Sequence, residues 1–355
     1  MGGSLLPFVL RPTKERYEGV RKTVLLLASM TAALVLAIGV ALVVPKEQAR
    51  AAFPGMNGKI AFLSGHPQAI YTINSDGSAL LQITHDPPFI DYPWSSPAWS
   101  PDGTRIAYAA ISDPGASLID YDIYTVSAYG GAPTKVTGGT RWADFQPVWS
   151  ANGKKIAFGR DRVDDGSLSQ AAAIYTVNAT GGAAPTKLAT KNTVGDHSPA
   201  WSPDGTKIAY AGVKPGESGA SIYVVSARGG MATKLTSKMV AYEPTWSPDS
   251  KKIAYTAAYD LNTQTDILAK SITGGTPPRV TNTKMIWESE PTWSPSGTRI
   301  AYIYDAPNNQ TYPHGIRAIA ATGEGVAYRI IPTADYPGLT SSAPDWGVAL
   351  AAPPS

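Results

Sequence analysis

PAWSPDGTRIAY at residues 97–108 returns as PVWSANGKKIAF at 147–158, PAWSPDGTKIAY at 199–210, PTWSPDSKKIAY at 244–255 and PTWSPSGTRIAY at 291–302. The tryptophans of these five copies, Trp99, Trp149, Trp201, Trp246 and Trp293, are spaced by 50, 52, 45 and 47 residues. A fixed period of this size is the mark of a repeat architecture, in which each unit buries its apolar faces only against its neighbours. Two fragments complete the set. Asn57-Gly58-Lys59-Ile60-Ala61-Phe62 matches the second half of the unit, and Pro344-Asp345-Trp346 matches the first half. Together they make a sixth copy shared between the two ends of the repeat region.

Each copy reads as four short antiparallel strands. Pro-x-Trp-Ser is the first, and Pro-Asp-Gly or Ala-Asn-Gly supplies a tight turn with a residue suited to positive φ. Arg105-Ile106-Ala107-Tyr108 and its equivalents form the second strand. Ile70-Tyr71-Thr72-Ile73, Ile123-Tyr124-Thr125-Val126, Ile174-Tyr175-Thr176-Val177 and Ile222-Tyr223-Val224-Val225 form the third, with weaker versions at Ile267 and Ile316. The Gly130-Gly131, Gly181-Gly182, Gly229-Gly230 and Gly274-Gly275 pairs then turn the chain into a fourth strand such as Lys135-Val136-Thr137. Four strands in about 50 residues make one propeller blade. The expected fold is an all-β, six-bladed β-propeller over 55–347, closed by N- and C-terminal strands that share a blade and so leave no free edge. A short tail, 348–355, follows.

Ahead of the repeats, VLLLASMTAALVLAIGVALVV at 24–44 carries no charge. As a helix its 21 residues span about 30 Å, the thickness of a bilayer's hydrocarbon core. The 1–23 segment holds five basic residues against two acidic ones, which places the N-terminus in the cytoplasm and the repeats outside. One N-terminal hydrophobic helix is therefore expected at 24–44, as a transmembrane anchor or a signal-peptide core. Ala49-Arg50-Ala51 in the 45–54 linker fits a cleavage site after 51. Both fates, membrane-anchored and secreted, make the repeat region extracytoplasmic.

Charge must be divided in the same way. Of 30 basic and 27 acidic residues, seven and three lie in 1–51, leaving 23 and 24 in the repeat region. The repeat region is close to neutral, which argues against nucleic acid as a partner. The absence of cysteine excludes disulfides, thiolate metal sites and cysteine nucleophiles.

The Pro-x-Trp-Ser-Pro-Asp-Gly-x-x-Ile-Ala-Tyr unit resembles the TolB-like propeller repeat over about 55–347. It also resembles the propellers that precede the catalytic domain of prolyl oligopeptidase-like and tricorn-like proteases. The nine residues after Trp346 lead us to expect no hydrolase domain here. The roughly dozen residues between Val44 and Asn57 likewise lead us to expect none of the α/β domain that TolB carries ahead of its propeller. What the resemblance implies is a scaffold with a tendency to bind other proteins, without a specific envelope role.

No nucleophile elbow, metalloprotease, phosphate-loop or dinucleotide-binding pattern occurs. His66, His85, His197 and His314 fall at unrelated places in their repeats. Asp102, Asp204 and Asp249 are turn residues that bond their own backbone rather than metal ligands. Trp99, Trp149, Trp201, Trp246, Trp293 and Trp346 are structural and pack blade against blade. One further set is placed by the repeat just before the innermost strands, around one mouth of the channel. It comprises Asp91, Tyr92 and Trp94; Arg141, Trp142 and Asp144; Asp196 and His197; Tyr242 and Glu243; and Trp287, Glu288 and Glu290. From it Trp94, Trp142, Asp144, Asp196, His197, Glu243, Trp287, Glu288 and Glu290 are taken as binding residues; the alternative is a set of caps and turns. An acidic, aromatic rim suits a basic or amphipathic peptide of an envelope protein, with a glycan as the alternative partner. The expected function is an exported, non-catalytic binding module. The alternative is a polysaccharide lyase or glycosidase using two carboxylates and a tyrosine at the mouth. No cofactor is expected, with a cation in the channel as the alternative.

Overall fold

A computed structural model describes residues 50–349 except 52, 66–67, 86–95, 112–119, 165–166, 170, 237–239, 259–263, 284–285, 307–313 and 332–341. All of these residues belong to one compact unit, which falls within Pro45–Ser355. The hydrophobic helix expected at 24–44, the basic segment 1–23 and Ala49 of the cleavage pattern lie outside the described residues. Among those described, every regular element is a strand, and no helix is long and apolar enough to cross a membrane.

The protein is an all-β propeller. A repeat runs outward from a first strand to a short outer one, as in Val194–Trp201, Lys207–Val213, Ser221–Ser226 and Thr233–Lys234 of the fourth repeat; in the fifth repeat an isolated bridge, Leu268 to Arg279, stands where the outer strand would be. Ring closure follows the sequence expectation. The C-terminal strand Ser342–Val348 pairs antiparallel with Asn57–Ser64, with Trp346 opposite Ile60.

The expectation of six separate blades is corrected in one respect. Four repeats, the first, fourth, fifth and sixth, form separate four-stranded sheets, while the second and third are joined in one nine-stranded sheet. The joint is a single parallel pair between Tyr121 of the second repeat's third strand and Ala143 of the third repeat's first strand. There, two neighbouring sheets come close enough at one point to share backbone hydrogen bonds.

Packing explains why Ile-Ala-Tyr recurs. In a ring of sheets both faces of the second strand are covered, so Ile208, Ala209 and Tyr210 are all buried. The apolar clusters straddle consecutive repeats. Ala200 and Ile222 pack with Trp246 and Tyr255, Ala254 and Val280 with Trp293 and Tyr302, and Ala301 and Ile316 with Ile60 and Trp346. Ala61 and Ile70 continue to Trp99 and Tyr108, Ala98 and Ile123 to Trp149 and Phe158, and Val148 and Ile174 to Trp201 and Tyr210. Each seam carries a buried tryptophan, and burying a large apolar side chain contributes about 1.5–3 kcal/mol. The Trp149 and Trp246 Nε1–H groups donate to Ala98 and Ala200 carbonyls of the preceding repeat, each at 3.0 Å.

The turns follow their chemistry. In Ser-Pro-Asp-Gly at 100–103, the Asp102 carboxylate accepts from Ser100 Oγ at 2.6 Å and from the Thr104 backbone N–H at 3.0 Å. Gly103 takes φ 69°. The outer strands are shorter than expected and begin a residue earlier, at Thr134–Lys135. The first strands of the third to sixth repeats, by contrast, begin earlier and run longer, as in Trp142–Trp149 and Trp287–Trp293, which extend upstream of Pro-x-Trp, whereas that of the second repeat is Ala98–Trp99.

Candidate functional site

That extension changes the setting of the expected rim. Trp142, Asp144, Asp196, His197, Glu243, Trp287, Glu288 and Glu290 lie within the first strands rather than in loops before them. Trp94, with Asp91 and Tyr92, falls outside the described residues. Pairing continues past the proline because each strand carries a bulge three residues before its tryptophan. The register with the second strand shifts there in the third to sixth repeats. The bulged residues Gln146, Ser198, Glu243 and Glu290 have φ of 57°, 53°, 55° and 54°. A non-glycine residue in this region is uncommon and costs about 1–3 kcal/mol.

What offsets the strain is a tie from one repeat to the next. Gln146 Oε1 accepts the Ser198 backbone N–H at 2.9 Å, and Glu243 Oε2 accepts the Glu290 backbone N–H at 2.6 Å. Thr256 Oγ1 also donates to Glu243 Oε2. At the closing seam Asp345 Oδ2 accepts the Trp99 N–H at 2.7 Å, and Thr292 Oγ1 accepts the Trp346 N–H at 3.2 Å. These side chains tie first strands together at four seams, third to fourth, fifth to sixth, sixth to first and first to second, as a belt around the ring. Gln146, Ser198, Thr292 and Asp345 were missed in the sequence; their only signal was their offset from the tryptophan, three residues for Gln146 and Ser198 and one for Thr292 and Asp345.

Two residues further upstream lie Asp144, Asp196 and Glu288, all buried. Asp144 makes a two-pronged contact with Arg160, Nε to Oδ1 at 2.5 Å and Nη2 to Oδ2 at 2.6 Å. Burial pushes the Asp144 carboxyl up and the guanidinium opposes it. Arg160 is itself held between rings, with Trp142, Phe158 and Tyr175 at 5.3, 5.5 and 5.4 Å from its guanidinium carbon. Trp142 therefore serves as one wall of a cation cage.

Asp196 Oδ2 accepts from Thr190 Oγ1 at 2.5 Å, while its Oδ1 is buried without a hydrogen-bond partner. Gly212 makes room for it, since a Cβ at 212 would stand 2.6 Å from Asp196 Oδ1. Burial pushes the neighbouring His197 imidazole down, so it is neutral near pH 7; its Nδ1 lies 2.8 Å from the Gly195 carbonyl. Glu288 Oε1 accepts from Thr283 Oγ1 at 2.6 Å, and its Oε2 is buried without a hydrogen-bond partner. Burial, with a contribution from the Asp266 charge, pushes its carboxyl up to about 6. Trp287 is the exposed aromatic among the described rim residues, at 56%, and Arg141 is exposed as well.

The structure thus brings Glu243 and Glu290 together, and holds Asp144, Asp196 and Glu288 at equivalent places in separate repeats. Among the described residues no group of three His, Cys, Asp or Glu side chains is arranged to hold a metal ion. Away from the belt, a cleft of about 460 Å³ opens between the first and second repeats, lined by Lys59, Asp76, Leu81, Trp99 and Tyr129.

Residues 169–315 match the family model described as the TolB beta propeller domain. The resemblance read from the repeats is borne out by this match and by likeness to solved TolB structures. TolB from Acinetobacter baumannii shares 20% identity over 82% of this chain and 67% of that one, with a TM-score of 0.62. A structure described as putative TolB from Agrobacterium tumefaciens shares 22% over 78% and 89%, with a TM-score of 0.58. An oligogalacturonate lyase in complex with manganese shares 11% over 80% and 77%, with a TM-score of 0.50. At these identities the likeness is one of fold.

Proposed function

We propose that the chain is an exported, non-catalytic propeller that binds a protein or peptide at the cell envelope through the mouth where the first strands begin. Counted by repeats and seams rather than by sheets, the ring has six blades spanning 55–347. The 24–44 stretch anchors it or delivers it, with 1–23 in the cytoplasm, 45–54 as linker and 348–355 as tail.

The observation that carries the reading is Trp287, an exposed indole beside the buried Glu288 on a first strand whose other rim residues are tied down. Such a side chain offers a large rigid contact at low entropic cost, the usual profile of an interface anchor. Trp94, Trp142, Asp144, Asp196, His197, Glu243, Glu288 and Glu290 complete the proposed surface. The commitment of Asp144 to Arg160, and of Glu243 to the next repeat's backbone, speaks for a rigid platform rather than for proton transfer. The test is capture from solubilised envelope with the full chain as bait beside Trp287→Ala. A partner held by the wild type and lost by the variant upholds the reading; equal capture by both removes Trp287 from it, and no capture at all counts against a protein partner.

One observation favours a second reading. Glu288, with its carboxyl pushed up to about 6 and one oxygen unpartnered, has the acidity of a general acid or base. A carbohydrate-active mouth would use it, and turnover on a polysaccharide panel that is lost in Glu288→Gln would establish that alternative.

A further inference from the structure

In the separate sheets of the first, fourth and sixth repeats the first strand is the sheet's inner edge. The fifth repeat differs. Arg50–Ala51 adds a strand to that edge, parallel to Val240–Trp246, with Arg50 opposite Thr245 and Ala51 opposite Trp246. The same two residues lie against the first strands of the third, fourth and sixth repeats. A segment beside four first strands at once is inside the ring they form.

The chain is fixed where it enters. Phe53 is 7% exposed and belongs to the apolar cluster of Ala98 and Trp149. The Gly55 N–H donates to the Pro295 carbonyl at 3.3 Å, and Asn57 Oδ1 accepts the Ser296 N–H at 3.0 Å. These contacts belong to the Trp-Ser-Pro turns, so the segment enters from the end of the channel opposite the rim. Beyond this anchor its described residues, Arg50 and Ala51, pair with two of the seven residues of Val240–Trp246. Thr245 adds a second asymmetry. Its Oγ1 is buried without a hydrogen-bond partner, whereas the equivalent Thr292 accepts the Trp346 N–H.

We propose that the inner edge of Val240–Trp246 is a strand-accepting site for an extended peptide, and that the chain's own Arg50–Ala51 holds this place until a partner segment displaces it. Recognition is through backbone pairing, as when a peptide adds a strand to an exposed edge. The described pairing involves two residues of the resident segment, and each net hydrogen bond contributes only about 0.5–1.5 kcal/mol. It holds its place by tethering, which gives a short flexible linker an effective concentration on the order of millimolar. A partner strand covering more of the seven residues makes more bonds and replaces it. Cleavage after Ala51 would vacate the site outright. The partner half of this proposal rests on the peptide-binding reading above; the self-pairing does not.

The test uses the unprocessed full chain in mild detergent and its Arg50→Pro/Ala51→Pro variant, because only one of two successive N–H groups faces the partner strand and proline removes both. Deuterium exchange in 240–246 is expected to quicken at least tenfold in the variant, with Lys207–Val213 unchanged as the control for folding. A labelled synthetic peptide of residues 48–54 is expected to bind the variant at least tenfold more tightly than the wild type. Unchanged exchange, or peptide binding that is equal or absent in both chains, overturns the proposal. Should the control strand lose protection, Phe53→Ala, which releases the anchor without altering the paired residues, is judged by the same two readouts. Neither readout needs an envelope partner, so a failed capture and a failed strand site are told apart.

Discussion

The two ends of the first strands obey different rules. At the Trp-Ser-Pro end one hydrogen-bond pattern recurs: Ser100 with Asp102, Ser150 with Asn152, Ser202 with Asp204 and Ser247 with Asp249. At the mouth end the third to sixth repeats do not share one pattern: Asp144 is clamped to Arg160, Asp196 and Glu288 accept from Thr190 and Thr283, and Ala241 stands where the fifth repeat has no acid. A repeated residue is one that every blade needs in order to be a blade. A buried polar residue that breaks the repeat answers to its own neighbours, and that is where function or strain accumulates.

The sharpest way to break this contrast is Asp144→Ala. It leaves the Arg160 guanidinium, 8% exposed, without its carboxylate, and losing one partner of a buried pair costs about 3–5 kcal/mol. A denaturant midpoint at pH 7 that barely moves would show that the clamp is no more than a surface pair.

Glu288→Gln is expected to act in the opposite direction. The Glu288 carboxyl is raised from 4.5 to about 6, so its contribution is fully present below pH 4.5 and is lost as pH rises through 6. At pH 7.5 the buried charge therefore costs the fold about 2 kcal/mol. The variant should melt higher than the wild type at pH 7.5 and match it below pH 4.5. A constant difference across that range would mean that the carboxyl is not titrating in the fold.

Turn substitutions should be milder and alike. Asp102→Ala and Asp204→Ala remove the same bonds in separate turns, each costing about 1 kcal/mol, and the double variant should show their sum. Unequal losses in chemical denaturation would mean that the regular end is less regular than its bonds suggest. Trp287→Ala should be the least disruptive, shifting stability by no more than about 0.5 kcal/mol as an exposed substitution does, while the captured partner is lost. A large drop in melting temperature would recast Trp287 as a packing residue.

Most of the fold was legible because propeller periodicity is local. Trp at a fixed offset, an Asp-Gly turn and an Ile-Ala-Tyr strand each state their own geometry, and the split copy at Asn57 and Trp346 announced closure. The rim was legible only as a set of positions. Nothing in Asp144 or Glu243 says that Pro-x-Trp sits behind a bulge, because a bulge with positive φ at Gln146, Ser198, Glu243 and Glu290 is stabilised by acceptors and donors about 50 residues away. Arg160 was passed over for the same reason, since its three aromatic neighbours and its carboxylate converge from three strands.

By itself, then, the sequence determined an all-β ring of repeats, its closing seam, its turns and the tryptophans that fill its seams, since each depends on residues within one repeat or on the repeat's own period. Only the tertiary structure decided which polar residues are buried, which are strained and paired, and that Arg50–Ala51 lies against the inner edge of the fifth repeat. Burial and pairing depend on what neighbouring repeats bring to the same point, and no single repeat contains that information.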